Sequence, residues 1–289
     1  MLVERAVAMA RLAPEDPYAS LAPHDRLAKG PFPELDLIDP YEPTAETLET
    51  QARIAEAHAR EVKGVTNSDG GSATWSSSRW ALVTTAGFHG THAATGHSIS
   101  ASAIAGEGAG MERGGEGRST RHFGDLPAAG DIGMEAGRQA VARLNPRKIA
   151  STTAPVIFEN RLAMSLISPL IGAISGPSIA RGTSFLKDKL GQAIFARGVN
   201  LLDDPFRVRG LGSAPFDDEG VATEARALID DGVLTTWLLN TSSARQLGLE
   251  TTGHASRGLA GPSGVSTSNL TLSTGTRDLE GLMADAKAG

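Results

Sequence analysis

The chain is 289 residues long, with 40% hydrophobic and 21% charged residues and a formal net charge of −6. That composition can bury a sizeable core and ordinarily divides into two domains, while the acidic balance argues against a general nucleic-acid surface, which needs clustered Lys and Arg. The absence of cysteine excludes disulfides and thiolate metal sites and fits a reducing compartment; no apolar run reaches the roughly 18 residues of a membrane span and no signal-peptide pattern opens the sequence, so the expected compartment is the cytoplasm.

In chain order, Leu2–Leu12 reads as the tail of a helix with no start signal before it. Residues 13–43, rich in Pro and Asp without periodicity, read as an extended connector on the surface. Thr44 is placed to cap a helix running to Glu61, with Leu48, Ala52, Ala55, Ala59 and Val62 along one face and charged residues on a solvated face opposite. The pattern then turns to strands: 62–67 and 72–78 joined by a turn at Ser68-Asp69-Gly70-Gly71, followed by 80–85 and 98–104. The glycine-rich stretch 106–118 matches neither the dinucleotide fingerprint nor a Walker motif and is expected to be a mobile hairpin tip. Asp131 is expected to cap a helix ending at Leu144, where Asn145-Pro146 marks a domain boundary.

In the second half, residues 156–158 read as a short buried strand. Asn160 is placed to cap a helix carrying Leu162, Leu166, Ile167, Leu170, Ile171 and Ile174, an apolar set wide enough to bury the helix inside the fold. Pro169 predicts a kink in that helix, and Ser175-Gly176-Pro177 its end. Strands are expected at 191–202, 221–229, 233–239 and 269–272, with a hairpin at Asp231-Gly232. Thr241–Leu247 reads as a short helix closed by Gly248, and 278–287 as a final helical segment. The fold class is α+β: a central domain over 15–147, then a mostly antiparallel β domain over 151–289 wrapped around the buried helix, with residues 1–14 as the remnant of a preceding domain. Unpaired strand edges in the second domain predict a homo- or heterodimer.

Three patterns carry candidate chemistry. His89, His92 and His97 lie within nine residues, enough for three zinc ligands, but strand alternation points His89 and His92 to opposite faces. With no nearby acid to orient them, they read as exposed strand histidines. Asp217, Asp218 and Glu219 could pair as acid and base, although an acidic turn more often caps backbone donors. Arg181 and Arg257 could hold a peptide carboxylate or pair with those acids. Ser184 and Ser213 are serines beside glycines without a nucleophile elbow, and no thiol nucleophile exists. The expectation is therefore no catalytic residue and no metal site in this chain, with Arg181, Ser184, Asp217, Asp218 and Arg257 as substrate or partner contacts.

The apolar helix, its Arg181-Gly182-Thr183-Ser184 exit and the turn Pro215-Phe216-Asp217-Asp218-Glu219-Gly220 resemble the TldD/TldE family, most closely its TldE/PmbA branch, once described as a modulator of DNA gyrase. The resemblance covers nearly the whole chain from Asp16 onward. It implies a cytoplasmic two-subunit metalloprotease for unfolded or flexible peptides, serving peptide-antibiotic maturation and antitoxin turnover, in which the TldD subunit holds zinc on an H-E-x-x-x-H helix. The positions matching that motif here are Ile167, Ser168 and Gly172, none of which ligates zinc. Zinc is accordingly expected in a TldD-like partner and not in this chain. Thr252 to Arg257 resembles a family segment near the subunit cleft. Family members extend further on both sides, so both termini are expected to be truncated relative to the family. The competing readings are a non-proteolytic interaction protein acting on DNA gyrase, and a self-sufficient metallopeptidase built on the three histidines.

Overall fold

Alternation of small apolar residues along one strand organises the first half of the molecule, which is seen in a computed structural model describing residues 2–258 and 261–286. Strand β1 (Val65–Val83) pairs antiparallel with β2 (His89–Ala105), and β3 (Glu112–Thr120) pairs antiparallel with the other edge of β2, giving the order β1-β2-β3. Every second residue of β2, from Ile99 through Ala101 and Ala103 to Ala105, faces a layer of two helices, α2 (Ala45–Glu61) and α3 (Ala129–Ala142), which supply Ala55, Ala59, Ile132, Ala136 and Ala140. Thr44 caps α2 by accepting the Thr47 N–H at 3.1 Å. Helix α1 (Leu2–Leu12) precedes them and buries none of its residues.

Several expectations need correction here. No turn forms at 68–71; the stretch is absorbed as irregular register within the continuous 19-residue strand β1, between Val65 and Asn67 and again between Ser68 and Gly70. The glycine-rich stretch is a hairpin tip only over residues 106–111, which join β2 to β3; from Glu112 onward it belongs to strand β3. Within β3, Gly114 is required for close approach: a Cβ there would lie 2.2 Å from the Ala140 backbone nitrogen, so α3 sits directly on the strand. Asp131 does not cap α3, which begins at Ala129; the carboxylate lies in the first turn, where it complements the helix dipole. The connector is less superficial than its composition suggests. Leu35 and Leu37 pack with Ala94 and Phe206, and Ala22 and Leu27 pack with Phe88, Phe216 and Val221, wedging it between the two halves.

In the second half, α4 (Ala163–Ala173) follows one tight turn at Asn160–Leu162, and α5 (Gly176–Ala180) follows α4. A four-stranded antiparallel sheet combines β4 (Leu201–Asp203), β5 (Arg226–Asp230), β6 (Val233–Leu234) and, from near the chain's end, β9 (Leu270–Leu272), in the order β6-β5-β4-β9. The pair β7 (Ala255–Ser256) and β8 (Gly264–Val265) is separate, and helices α6 (Thr241–Leu247) and α7 (Leu279–Asp285) complete the set. Asp231 and Gly232, at φ 46° and 83°, make the two-residue turn between β5 and β6 that their sequence predicts. Asn240 and Ser243 form a reciprocal cap on α6, and Gly248 ends it in the left-handed conformation.

Helix α4 runs through Pro169 without breaking. Ile167, Leu170 and Ile174 fall on one face and pack against Leu201, Leu228, Ile229, Leu234 and Leu238. The other face is open: Leu162 is 53% exposed and Leu166 50% exposed, so the helix lies on the sheet by one side instead of being enclosed. Asn160 does not cap it, and residues 156–158 form no strand; Val156 is 72% exposed. Helix α4 ends at Ala173, just before Ser175-Gly176-Pro177 as expected, and Pro177 falls in the first turn of the separate helix α5, where a missing N–H costs nothing. Of 191–202 only Leu201 and Leu202 fall in a strand, β4, with an isolated bridge from Ala193 to Val233. The last position of the expected 278–287 helix lies outside the described residues. Among those described, no helix is long and apolar enough to cross a membrane.

Candidate functional site at the junction of the two halves

The acidic turn lies where the β1–β2 turn meets the second half. Phe216 packs edge-on against Phe88 at 5.0 Å and against the His92 imidazole at 5.8 Å, so the turn and the histidine strand come together. All three carboxylates are committed to backbone donors. Asp217 Oδ1 accepts from the Glu219 and Val221 N–H groups and its Oδ2 from Ala255, each at 2.9 Å. Asp218 accepts from Arg257 N–H at 2.7 Å, and Glu219 from Thr241 N–H, at the start of α6, at 2.9 Å. The turn thereby staples β7 and α6 to itself. Burial pushes the Asp217 carboxyl up to about 6 against the opposing pull of its three N–H donors, with Glu219 adding repulsion.

The other candidate contacts divide. Arg181 and Arg257 are exposed, and among the described residues neither guanidinium pairs with the acidic turn or with any other carboxylate, Arg257 reaching Asp218 through its backbone N–H alone. They remain free for a carboxylate from elsewhere. Ser184 is buried; its hydroxyl donates to Ala173 C=O at 2.6 Å and accepts from Leu186 N–H at 3.0 Å, fixing the exit of α4. Ser213 is committed likewise, donating to Arg207 C=O at 2.6 Å and accepting from Asn269 at 2.9 Å. Both hydroxyls are buried.

The three histidines do not share an environment. His89 is exposed, His92 is half-buried and stacked on Trp80 at 4.6 Å, and His97 is buried. The expectation of exposed histidines thus fails at His97, and an acid does lie beside it: Asp39 Oδ2, from the connector, is 3.2 Å from Nε2. Burial holds the His97 imidazole below its ordinary value, with Asp39 opposing. Burial alone would raise Asp39; N–H bonds from Phe123 and Tyr41, with His122 and His97 nearby, outweigh it and leave that carboxyl low. His122 bridges onward to Asp36 at 3.2 Å, and Arg209 joins Asp36 at 2.6 Å to Asp125 at 3.0 Å. This polar seam between connector and both halves was not read from the sequence. One signal was available, since His97 shares the period-two register of Ile99, Ala101 and Ala103. A second buried pair, His254 with Asp203 at 3.3 Å, is fixed by Thr252 and by two bonds from Ser268 N–H.

The residues that would correspond to a metal helix do not fit a zinc ion. Ile167 is 4% exposed in the core, the Ser168 hydroxyl donates to the Met164 C=O at 2.8 Å, and Gly172 offers no side chain. Among the described residues no three His, Cys, Asp or Glu side chains converge as ligands.

A family model described as the PmbA/TldA metallopeptidase central domain matches residues 38–144, and one described as the PmbA/TldA metallopeptidase C-terminal domain matches residues 151–289. The Metalloprotease PmbA of Escherichia coli O157:H7 is 40% identical over 257 residues, 88% of this chain and 56% of that protein. The Metalloprotease PmbA homolog of Haemophilus influenzae is 33% identical over 258 residues, again 88% of this chain and 56% of the other. The chain therefore spans about half the length of the curated relatives it matches. A solved structure from Bacteroides thetaiotaomicron, named for modulation of DNA gyrase, superposes with a TM-score of 0.88 at 27% identity, covering 99% of this chain and 63% of that one. TldE from Thermococcus kodakarensis shares the fold at a TM-score of 0.76 and 22% identity, covering 98% of this chain and 64% of that one.

Proposed function

Because this chain belongs to the PmbA/TldD metallopeptidase family, we propose that it acts as a PmbA/TldE-type subunit of a two-subunit metalloprotease and carries no metal of its own. On this reading a TldD-like partner holds the zinc, and the complex cleaves unfolded or flexible peptides, as in peptide-antibiotic maturation or turnover of a labile antitoxin. The observation that carries the proposal is the chemistry of Ile167, Ser168 and Gly172: a buried hydrocarbon, a hydroxyl bonded to its own helix, and no side chain. Zinc requires imidazole, thiolate or carboxylate, and nothing at these positions supplies one. No hydrolytic step is assigned to this chain's side chains; zinc in the partner would supply the activated water. What the chain contributes is surface, including the unpaired Arg181 and Arg257, which are suited to a peptide carboxylate.

The test mixes the purified chain, made without a histidine tag, with a TldD-like protein and assays a flexible peptide. Cleavage only in the mixture, with stoichiometric zinc in the partner alone, supports the proposal. Cleavage by this chain alone, or one tightly held zinc per chain, overturns it. The gyrase name of the Bacteroides relative motivates a second reading. A non-proteolytic gyrase regulator would change supercoiling by purified gyrase with no partner present and no peptide cut.

A further inference from the structure

A pocket of about 450 Å³ opens between the connector and the turn joining β1 to β2. Its rim carries His24, Lys29 and His89, and its floor is formed by Leu27, Phe32 and Phe88. No acidic side chain lines it, although the chain as a whole carries a net charge of −6. Among the described residues, none of the three basic side chains is used in a hydrogen bond or ion pair, so their charge and donors are unspent. The floor is fixed from beneath. Phe88 is 4% exposed, and Phe216 meets both Phe88, at 5.0 Å, and Phe32, at 5.5 Å.

This combination selects a ligand class. One lysine and two imidazole donors over an aromatic floor match a singly charged anion with hydrocarbon attached, and the volume leaves room for a body of about two amino-acid residues. A phosphate would bring more charge than the rim answers and would sit unfavourably on the apolar floor. We propose that this pocket binds a carboxylate carried on an apolar body, with Lys29, His24 and His89 at the carboxylate and Phe32, Phe88 and Leu27 against the hydrocarbon. Two sources share that chemistry: the C-terminal residue of a peptide and a free aryl-alkanoic acid. The peptide source deepens the peptidase reading, but the site itself does not depend on it, because binding is read without cleavage.

The experiment titrates the 289-residue chain with three probes: N-acetyl-Ala-Ala-Phe as the free acid, its C-terminal amide, and 3-phenylpropionate. Affinity is followed by calorimetry and location by amide chemical shifts. A charge-assisted contact implies that the amide binds about tenfold or more weakly than the acid, and that Lys29→Gln weakens the acid by a similar factor. Lys29 is exposed, so the variant's melting temperature stays that of the parent. Shifts clustered around His24, Phe32 and His89 support the site. A tighter peptide acid assigns it to peptide ends, and binding of phenylpropionate alone assigns it to a small-molecule acid. Amide binding as strong as acid binding, no binding by either acid, or an unchanged affinity in Lys29→Gln overturns the proposal.

Discussion

Phe88, at the turn between β1 and β2, meets Phe216, at the head of the acidic turn, edge-on with ring centroids 5.0 Å apart, and both rings are at least 95% buried. This contact and the cluster around it tie the first half of the molecule to the second.

Truncating either ring empties the same cluster. Phe216→Ala is expected to cost about 3–5 kcal/mol, the range for a buried aromatic cut to alanine. Gly220→Ala is expected to cost about 1–3 kcal/mol: its φ is 80°, and a Cβ there would lie 2.6 Å from the Phe88 ring. Urea unfolding of both variants checks this, and a Gly220→Ala protein as stable as the parent would contradict the packing described.

Asp217 predicts a pH signature. Its folded value, about 6, lies above the ordinary 3.8, so the folded chain holds this proton more tightly than the unfolded one. The resulting stability is full below about pH 4 and is lost as pH rises through about 6. Each unit is worth about 1.4 kcal/mol, so the window spans up to about 3 kcal/mol. Asp217→Asn cannot ionise, and it also loses one acceptor. Its deficit relative to the parent should therefore be largest near pH 4 and shrink toward pH 7. Denaturation series at several pH values decide it; a deficit that grows with pH would mean that the three N–H donors hold the ionised form.

Arg209 joins the connector to the first half from its place in the second, through Asp36 and Asp125. Because the pairs are partly exposed, Arg209→Ala should lower the melting temperature only modestly. Its clearer effect is expected in limited proteolysis, as faster cutting within residues 13–43. Unchanged cutting there would show that Leu35 and Leu37 hold the connector without it.

Helix α4 should respond by face. Leu170→Ala is expected to cost about 2–5 kcal/mol, since Leu170 packs with Leu201 and Leu234. Leu166→Ala, at a half-exposed position, is expected to cost no more than about 1 kcal/mol. Equal losses at the two sites would mean that the open face is covered.

The parts of this fold that were legible in the sequence are those fixed by short-range chemistry. The Thr44 cap, the Asn240 to Gly248 helix and the Asp231-Gly232 turn each depend on groups a few residues apart. The misreadings share a different cause. Residues 68–71 look like a turn until the long partner β2 holds them in register, and Gly114 looks mobile until α3 is seen resting on it. Leu162 and Leu166 have the composition of core residues, but burial depends on whether something lies across that face, which composition does not record. The acidic turn was legible as a cap. Its meeting with His92, and the partnership of His97 with Asp39, arise from distant segments and have no local signature.

Helix α4 also bears on how such a chain changes over evolutionary time. Gly172 has open space around it and Ser168 is exposed, so larger ligating side chains at these two positions would disturb no packing. Ile167 is different, because an imidazole there would enter a hydrocarbon cluster with no polar partner. Two of the three positions would accept larger side chains at little cost to packing, while the third would not. A zinc helix at these three positions would therefore require the interior around Ile167 to be rebuilt first.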